Sequence, residues 1–489
     1  MIRVLVLLAA VMMAACNRQD WQHLTKASFE RVSAADKPST VQPVSTPPQS
    51  YADAVDRVSP AVVTIRSAKR VRDAQQFPFL DDPFFRQFFG NPRQRSPRGN
   101  NSEMQHALGS GVIVKADGVI LTNHHVVDGA DQITVELSSR QSYSAKLIGS
   151  DAPSDLAVLK IDASNLTTLP LGDSNRVRVG DVCLAVGNPL GVGETVTSGI
   201  ISAKGRATGL SDGSFEDFLQ TDAAINQGNS GGALVNTSGE LIGINSQILS
   251  PSGGNIGIGF AIPSNMAKTV MSQLVNGGKV RRGKLGVSIQ PITSDLASSM
   301  GIKELRGVLI SGVSPGGPAD RAGIKTGDII TAIDGQPTND PNELRNRIAS
   351  SAPGTPVNLT LQRNGKEMQV KATLEELTPQ EAQTKQSGSD QGGGEGGSLG
   401  ISVQPLSPDD AAQLGLSRGT KGLVVQSIDP TGPAAESGLQ QGDVIVEVNR
   451  QAVTSVDDLR GALRKSASRP ALLLINRGGQ THFVTVRPR

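Results

Sequence analysis

Residues 221–234 read T-D-A-A-I-N-Q-G-N-S-G-G-A-L, and what the serine at position 230 does decides what the rest of the chain has to be. Gly228, Gly231 and Gly232 surround it. Glycine lets a backbone turn tightly, so N–H groups around Ser230 can converge on one point and hold a developing oxyanion. A serine hydroxyl is a poor nucleophile near neutral pH and needs a base within hydrogen-bond reach, most often a histidine. Taken alone, Gly228-Asn229-Ser230-Gly231-Gly232 fits a hairpin turn equally well. Its partners have to settle the matter.

The chain has five histidines: His23, His106, His124, His125 and His482. An α/β-hydrolase needs the order serine, acid, histidine. Downstream of Ser230 the only histidine is His482, far off near the C-terminus, and no βαβ alternation surrounds the serine. Upstream lie His124, His125 and several aspartates, which is the histidine, aspartate, serine order of chymotrypsin-like proteases. The histidine pair stands in L-T-N-H-H-V-V-D at 121–128. In an extended chain adjacent side chains face opposite ways, so at most one of them reaches the serine's cleft. For the acid, Asp128, Asp131, Asp151, Asp155, Asp162, Asp173 and Asp181 all lie in the interval. Asp155 opens D-L-A-V-L-K-I, an alternating apolar run that plants a carboxylate at the edge of a buried strand, where it would fix an imidazole tautomer. Asp222 is so near Ser230 that a turn role is expected of it. Ala224 stands six residues before Ser230, where a trypsin-type site would carry the carboxylate that selects Arg or Lys, so a basic P1 residue is not expected.

At 489 residues the chain is long for one core, and three units are a sensible expectation. Lys plus Arg is 47 against Asp plus Glu at 45, so no charge excess points to nucleic acid. The first residues, M-I-R followed by an apolar run ending in A-A-C, form an export signal too short to span a bilayer as a mature helix. Ala14-Ala15-Cys16 resembles the end of a bacterial lipoprotein signal, with Cys16 as the acylation site, although Met13 stands where such signals more often carry Leu; an ordinary secretory signal is the alternative. Residues 17–50 are polar and proline-rich, a flexible tether. Cys183, in V-C-L-A-V, reads as a small buried hydrophobe whose apolar setting keeps the thiol inert. With two cysteines and five histidines no metal-ligand spacing can be assembled, and no G-x-x-x-x-G-K-[ST] loop is present, so neither a metal nor any other cofactor is expected.

From about Tyr51 to about Asn276 short β-type runs, V-V-T-I, G-V-I-V, V-I-L-T, I-T-V-E-L, A-V-L-K-I, V-C-L-A-V and L-I-G-I, alternate with Gly, Asp, Asn and Pro turns, the pattern of an all-β barrel or sandwich. The best helical stretch is 265–275. Six of the eleven phenylalanines fall between Phe77 and Phe89, in a segment that wants a partner surface. The last two fifths is a repeat. G-V-S-I-Q-P-I at 286–292 returns as G-I-S-V-Q-P-L at 400–406, S-P-G-G-P-A-D-R-A-G at 314–323 as D-P-T-G-P-A-A-E-S-G at 429–438, and T-G-D-I-I-T-A-I-D-G at 326–335 as Q-G-D-V-I-V-E-V-N-R at 441–450. An offset of 114 or 115 residues is too long for a solenoid, so these are two copies of one small domain joined by a glycine-rich linker.

V-I-L-T-N-H-H-V-V, S-D-L-A-V-L-K-I and T-D-A-A-I-N-Q-G-N-S-G-G, followed by a repeated PDZ-like module, resemble the HtrA (Deg) family of bacterial envelope serine proteases. The resemblance runs from about residue 51 to 489. It implies a mainly β fold: a chymotrypsin-like double β-barrel protease domain at 51–276 with a Phe-rich regulatory loop at about 67–108, then PDZ domains at 281–377 and 398–489 around a linker at 378–397. It selects His125, Asp155 and Ser230 as the catalytic triad, with His124 a surface neighbour, and Gly228, Asn229 and Ser230 as the oxyanion hole. A small apolar substrate pocket is expected at Ala224, Ile225, Ile248 and Leu249. Loops at Leu285, Gly286 and Val287, and at Leu399, Gly400 and Ile401, resemble the PDZ loops whose N–H groups take a peptide's C-terminal carboxylate. Arg281, Arg282 and Lys284 would add attraction in the first copy if they face the peptide, but a run of charges is more often a solvated face. The expected protein is an ATP-independent periplasmic endopeptidase of a Gram-negative cell, trimer-based, that captures misfolded or unfolded chains, with membrane contact only through a lipidated Cys16. The alternative is a peptide-binding chaperone or scaffold without turnover.

Overall fold

A computed structural model describes residues 50–71, 103–188, 194–208, 215–226, 228–250, 254–302, 304–378, 399–416, 419–464 and 470–487. The expected export signal with Cys16, the expected tether as far as residue 49, the Phe-rich stretch at 77–89 and residues 379–398 of the expected linker lie outside these.

Helix α1 (Ala52–Val58) leads into the first barrel, built from β1 (Val62–Val71), β2 (Glu103–Lys115), β3 (Val119–Thr122), β4 (Gln132–Glu136), β5 (Ser142–Asp151) and β6 (Leu156–Ile161). These close in the order β1-β2-β3-β6-β5-β4, every pairing antiparallel. V-I-L-T of β3 is buried at all four positions, which is why it reads as a continuous apolar run rather than an alternating one. The core gathers Ile65, Ile113, Ile120, Val135, Leu159 and Ile161. Between β3 and β4 the chain makes one helical turn, α2 (His124–Val127).

The second barrel repeats the closure with β7 (Val182–Gly187), β8 (Thr195–Arg206), β9 (Phe218–Thr221), β10 (Ala233–Asn236), β11 (Leu241–Ile248) and β12 (Gly259–Pro263), in the order β10-β11-β12-β9-β8-β7. Cys183 packs in its core with Ile201, Leu219, Leu234 and Ala261, and burial pushes its thiol up to about 11, so it stays protonated as expected. Helix α3 (Ser264–Gly277) then lays Ala267, Val270, Met271 and Leu274 on the barrels and stops at Gly278 in left-handed backbone, φ 68°.

Two modules of one design follow. The first holds β13 (Gly283–Lys284), β14 (Val287–Pro291), α4 (Ser294–Met300), β15 (Val308–Val313), α5 (Pro318–Arg321), β16 (Ile329–Ile333), β17 (Gln336–Pro337), α6 (Pro341–Ser350), β18 (Pro356–Arg363), β19 (Lys366–Thr373) and β20 (Glu375–Glu376). The second holds β21 (Ile401–Pro405), α7 (Pro408–Gln413), β22 (Leu423–Ile428), α8 (Pro433–Glu436), β23 (Val444–Val448), β24 (Gln451–Ala452), α9 (Val456–Arg464), β25 (Ala471–Arg477) and β26 (Gln480–Val486). Their sheets share one order, β14-β15-β16-β18-β19 against β21-β22-β23-β25-β26. Both also place a buried aspartate under an arginine: Asp328 with Arg363, and Asp443 with Arg477, each pair at 2.6 Å. A buried carboxylate is tolerable only when paired in this way.

Candidate active site

His125, Asp155 and Ser230 each sit in a turn between strands. His125 belongs to α2, Asp155 follows the short 3₁₀ turn Ala152–Ser154 that joins β5 to β6, and Ser230 lies between β9 and β10. The first two come from one barrel and the third from the other. Ser110 on β2 bridges them: its N–H donates to the Ser230 carbonyl at 2.8 Å and its hydroxyl to the Gly228 carbonyl at 2.6 Å. Thr122 on β3 holds Ser110 in turn, through its carbonyl, at 2.7 Å. Gly231 fits this junction because its φ is +83° and because a Cβ there would overlap the Ser110 carbonyl and the Thr122 hydroxyl.

Asp155 is fixed from several directions. Its backbone is left-handed, φ 52°, and its carbonyl accepts the His124 N–H at 3.1 Å. Its carboxylate accepts the His125 backbone N–H at 3.1 Å and stands 2.9 Å from His125 Nδ1 through both oxygens. A carboxylate can only accept there, so the Nδ1 position carries the proton and Nε2 is left with its lone pair. Ser246 on β11 donates its hydroxyl to the same carboxylate at 2.8 Å. Burial pushes the Asp155 carboxyl up, but the charge and hydrogen bonds of His125 and the Ser246 hydroxyl outweigh it, and the group ends below the ordinary aspartate value. Asp155 remains ionised.

Ser246 also touches the serine, since its backbone carbonyl accepts the Ser230 hydroxyl at 3.0 Å. Sequence reasoning missed Ser246, which lies inside I-N-S-Q-I-L with no motif of its own. The oxyanion expectation divides. The Asn229 N–H donates to the Asn226 carbonyl at 3.0 Å and is turned away. The N–H groups of Gly228, at φ +96°, and of Ser230 donate to nothing among the described residues, so that pair is the one open to an oxyanion.

His124, Asp222 and the expected pocket residues stand elsewhere than the sequence suggests or in other roles. His124 is not at the surface: its side chain is 17% exposed, with Nε2 3.6 Å from Asp128. It lies beside His125 on a helical turn rather than in extended chain, so the two rings are offset around a helix and do not point to opposite faces. Asp222 serves no local turn through its side chain; it reaches across to β8, where it accepts the Ile200 N–H at 2.7 Å. Of the pocket residues, Ile225 and Ile248 are buried in the second barrel's core cluster, Ala224 is half-buried and Leu249 is 45% exposed.

In the modules, Gly286 and Gly400 adopt φ +77° and +71°, and Leu285 and Leu399 are buried beneath them. The N–H groups of Leu285 and Gly286 have no acceptor among the described residues, as a carboxylate loop requires. Val287 and Ile401 each open the strand that follows. The neighbouring arginines do other work: Arg281 pairs with Glu376, and Arg282 reaches back to Asp151 of the first barrel at 2.8 Å. Among the described residues no cluster of His, Cys, Asp and Glu is arranged to hold a metal ion.

The sequence of this chain matches the trypsin-like peptidase domain over residues 109–244 and the PDZ domain twice, over 283–374 and 397–487. It is 41% identical over 477 residues to the "Probable periplasmic serine endoprotease DegP-like" of Brucella suis biovar 1 (strain 1330), covering 91% of this chain and 90% of that protein. It is 42% identical over 469 residues to the "Periplasmic pH-dependent serine endoprotease DegQ" of Escherichia coli (strain K12), covering 94% and 96%. Among solved structures, "HtrA-type protease AlgW with decapeptide" is 47% identical with a TM-score of 0.53, over 68% of this chain and 99% of that one. The same protease with a tripeptide gives 45% identity and a TM-score of 0.55, over 68% and 98%.

Proposed function

We propose that this chain, which belongs to the DegP/DegQ-like serine endoproteases of the HtrA type, cuts misfolded or unfolded proteins in the periplasm through His125, Asp155 and Ser230. The observation that carries this reading is the Nδ1 of His125 held 2.9 Å from both Asp155 oxygens, with Ser246 joining that carboxylate to Ser230, whose N–H and that of Gly228 meet no acceptor among the described residues. In the working cycle the Ser230 hydroxyl turns from the Ser246 carbonyl toward His125 Nε2, which takes its proton as the oxygen attacks the scissile carbonyl. Asp155 stabilises the imidazolium that forms and keeps the ring in its tautomer. Gly228 and Ser230 N–H groups receive the oxyanion, and His125 then returns the proton to the leaving amine.

Ala224, Ile225 and Ile248 make the P1 pocket apolar, so residues such as Val, Ile or Ala are accepted with mild discrimination, about 1 to 3 kcal/mol per methylene. The loops at Leu285–Val287 and Leu399–Ile401 capture C-termini of substrate chains, and assembly is trimer-based with Cys16 as a lipid anchor. Casein digestion by the protein and by Ser230→Ala tests the reading. The variant should still bind unfolded casein while turnover falls by roughly ten-thousand-fold or more. Equal digestion by both proteins would refute it, and binding without turnover in the parent protein would favour a chaperone.

A further inference from the structure

The two carboxylate loops are built on one scaffold. In the first module the Gly286 carbonyl accepts the Ser314 N–H at 2.9 Å and the Leu285 carbonyl the Ala319 N–H at 2.9 Å; in the second, Gly400 accepts from Asp429 at 2.8 Å and Leu399 from Ala434 at 3.1 Å. The N–H groups of Leu399 and Gly400, like those of the first loop, meet no acceptor among the described residues. Residues 314 and 429 therefore stand at the same place beside their loops, and so do 321 and 436, at the ends of α5 and α8. A Cβ on Gly286 would come 3.5 Å from that of Ser314, and one on Gly400 would come 3.3 Å from that of Asp429.

What differs is charge. Around the first loop the charges cancel: Arg281 pairs with Glu376 and Arg321 with Glu375, while Lys284 and Asp320 add one charge of each sign. The second copy replaces Ser314 by Asp429, Asp320 by Ala435 and Arg321 by Glu436. Both of its acidic residues are exposed. The Asp429 carboxylate accepts the N–H and the hydroxyl of Thr431, each at 2.9 Å, which fixes it beside the loop. Arg487 shares a cavity wall with Glu436, but Asp295 of the first module meets its guanidinium at 2.9 Å. The second loop thus presents its amide donors within a negative field.

We infer that Asp429 and Glu436 make the second loop selective for C-termini with a basic penultimate residue, whereas the first loop is indifferent to charge there. The inference rests on the carboxylate capture proposed above. A chain end brings its own negative charge, which an aspartate near the amide donors repels and a lysine or arginine one residue back offsets. In a peptide added as a strand, the terminal side chain points to the apolar floor that Leu399 and Ile401 supply, and the one before it points the other way. A penultimate cation can then face the exposed carboxylates. Exposed ion pairs are weak, so the preference is about twofold to fivefold, and added salt reduces it.

Short peptides that end in a photo-reactive leucine, alike except for lysine, serine or glutamate just before it, test this on full-length Ser230→Ala protein. After irradiation, peptide mapping reads how the label divides between the modules at 283–374 and 397–487. The lysine tail should move label toward the second module by about twofold to fivefold relative to the serine tail, and the glutamate tail should move it away by a similar factor. Asp429→Ser/Glu436→Arg, which places the first module's residues at these exposed positions, should abolish both shifts. A division that ignores the penultimate charge, or a lysine preference that survives the double substitution, would overturn the inference while leaving carboxylate capture intact. Label at neither loop with any tail would refute carboxylate capture, and the selectivity with it.

Discussion

Asp155 holds a left-handed backbone, a conformation that strains a non-glycine residue by about 1 to 3 kcal/mol. The strain is held by what surrounds it: Asp151 caps the turn before it through the Ser154 N–H, and His124 and His125 donate to it from α2. Because His125 and Ser246 lower its pKa against the pull of burial, its ionised form stabilises the fold at all pH values above the ordinary aspartate range. That contribution is lost as pH falls through the lowered value. His125→Ala removes the larger opposing effect, so the acid unfolding limb should move to higher pH, and peptide hydrolysis should drop by roughly ten-thousand-fold or more. His124→Ala should keep most activity. The reverse outcome in a peptide assay would reject the assignment. The resemblance singled out His125, the ring that meets Asp155; the argument that at most one of the two histidines reaches the cleft assumed an extended chain, whereas T-N-H-H-V-V enters a helical turn after Asn123.

At the scale of elements, the seam between the barrels and the first module is where sequence reading gave least. The long apolar strands were legible as runs, whereas β5 and β8 are half-exposed and mix serine, lysine and threonine among their apolar residues, so no run marks them. Arg282 looked like part of a basic patch, yet it crosses to Asp151 and lies over the Phe215 ring at 4.6 Å. Nothing local in the sequence announces a partner 131 residues away. With both side chains mostly buried, Arg282→Ala leaves Asp151 unpaired and should lower stability by about 3 to 5 kcal/mol in urea unfolding. A loss no larger than that of an exposed arginine would show the pair to be idle. Asp217, nearby, is pushed up to about 6 by burial and by Glu343 and Asp340 on the α6 side, against Lys204 and Arg347. A raised carboxyl costs stability from its ordinary value of 3.8 upward, where the unfolded chain ionises first, and the cost is complete above about pH 6. Asp217→Asn should therefore raise the melting temperature at pH 7.5, with a gain that shrinks as pH falls through about 6 and is gone near the ordinary value of 3.8. An equal gain at every pH would contradict the charge argument.

Over the whole molecule, chain order was the strongest signal. Histidine and aspartate upstream of a glycine-flanked serine excluded one hydrolase fold and required another, and two six-stranded barrels meet at the loops that carry those residues. The repeat announced two modules of equal topology. It did not announce the contact between them, because Leu472, Leu474 and Phe483 read as ordinary strand residues until the cluster that joins them to Leu296, Leu309 and Ile329 is seen. Ser246 stayed hidden for a similar reason, since its role depends on a carbonyl and a hydroxyl reaching two different loops. The account rests on Ser230 acting as the nucleophile, and a serine-directed fluorophosphonate followed by peptide mapping addresses that directly. The reagent should modify Ser230 alone, at a rate that collapses in His125→Ala. Full turnover of casein by protein left unlabelled at Ser230, or labelling that persists unchanged in His125→Ala, would contradict it.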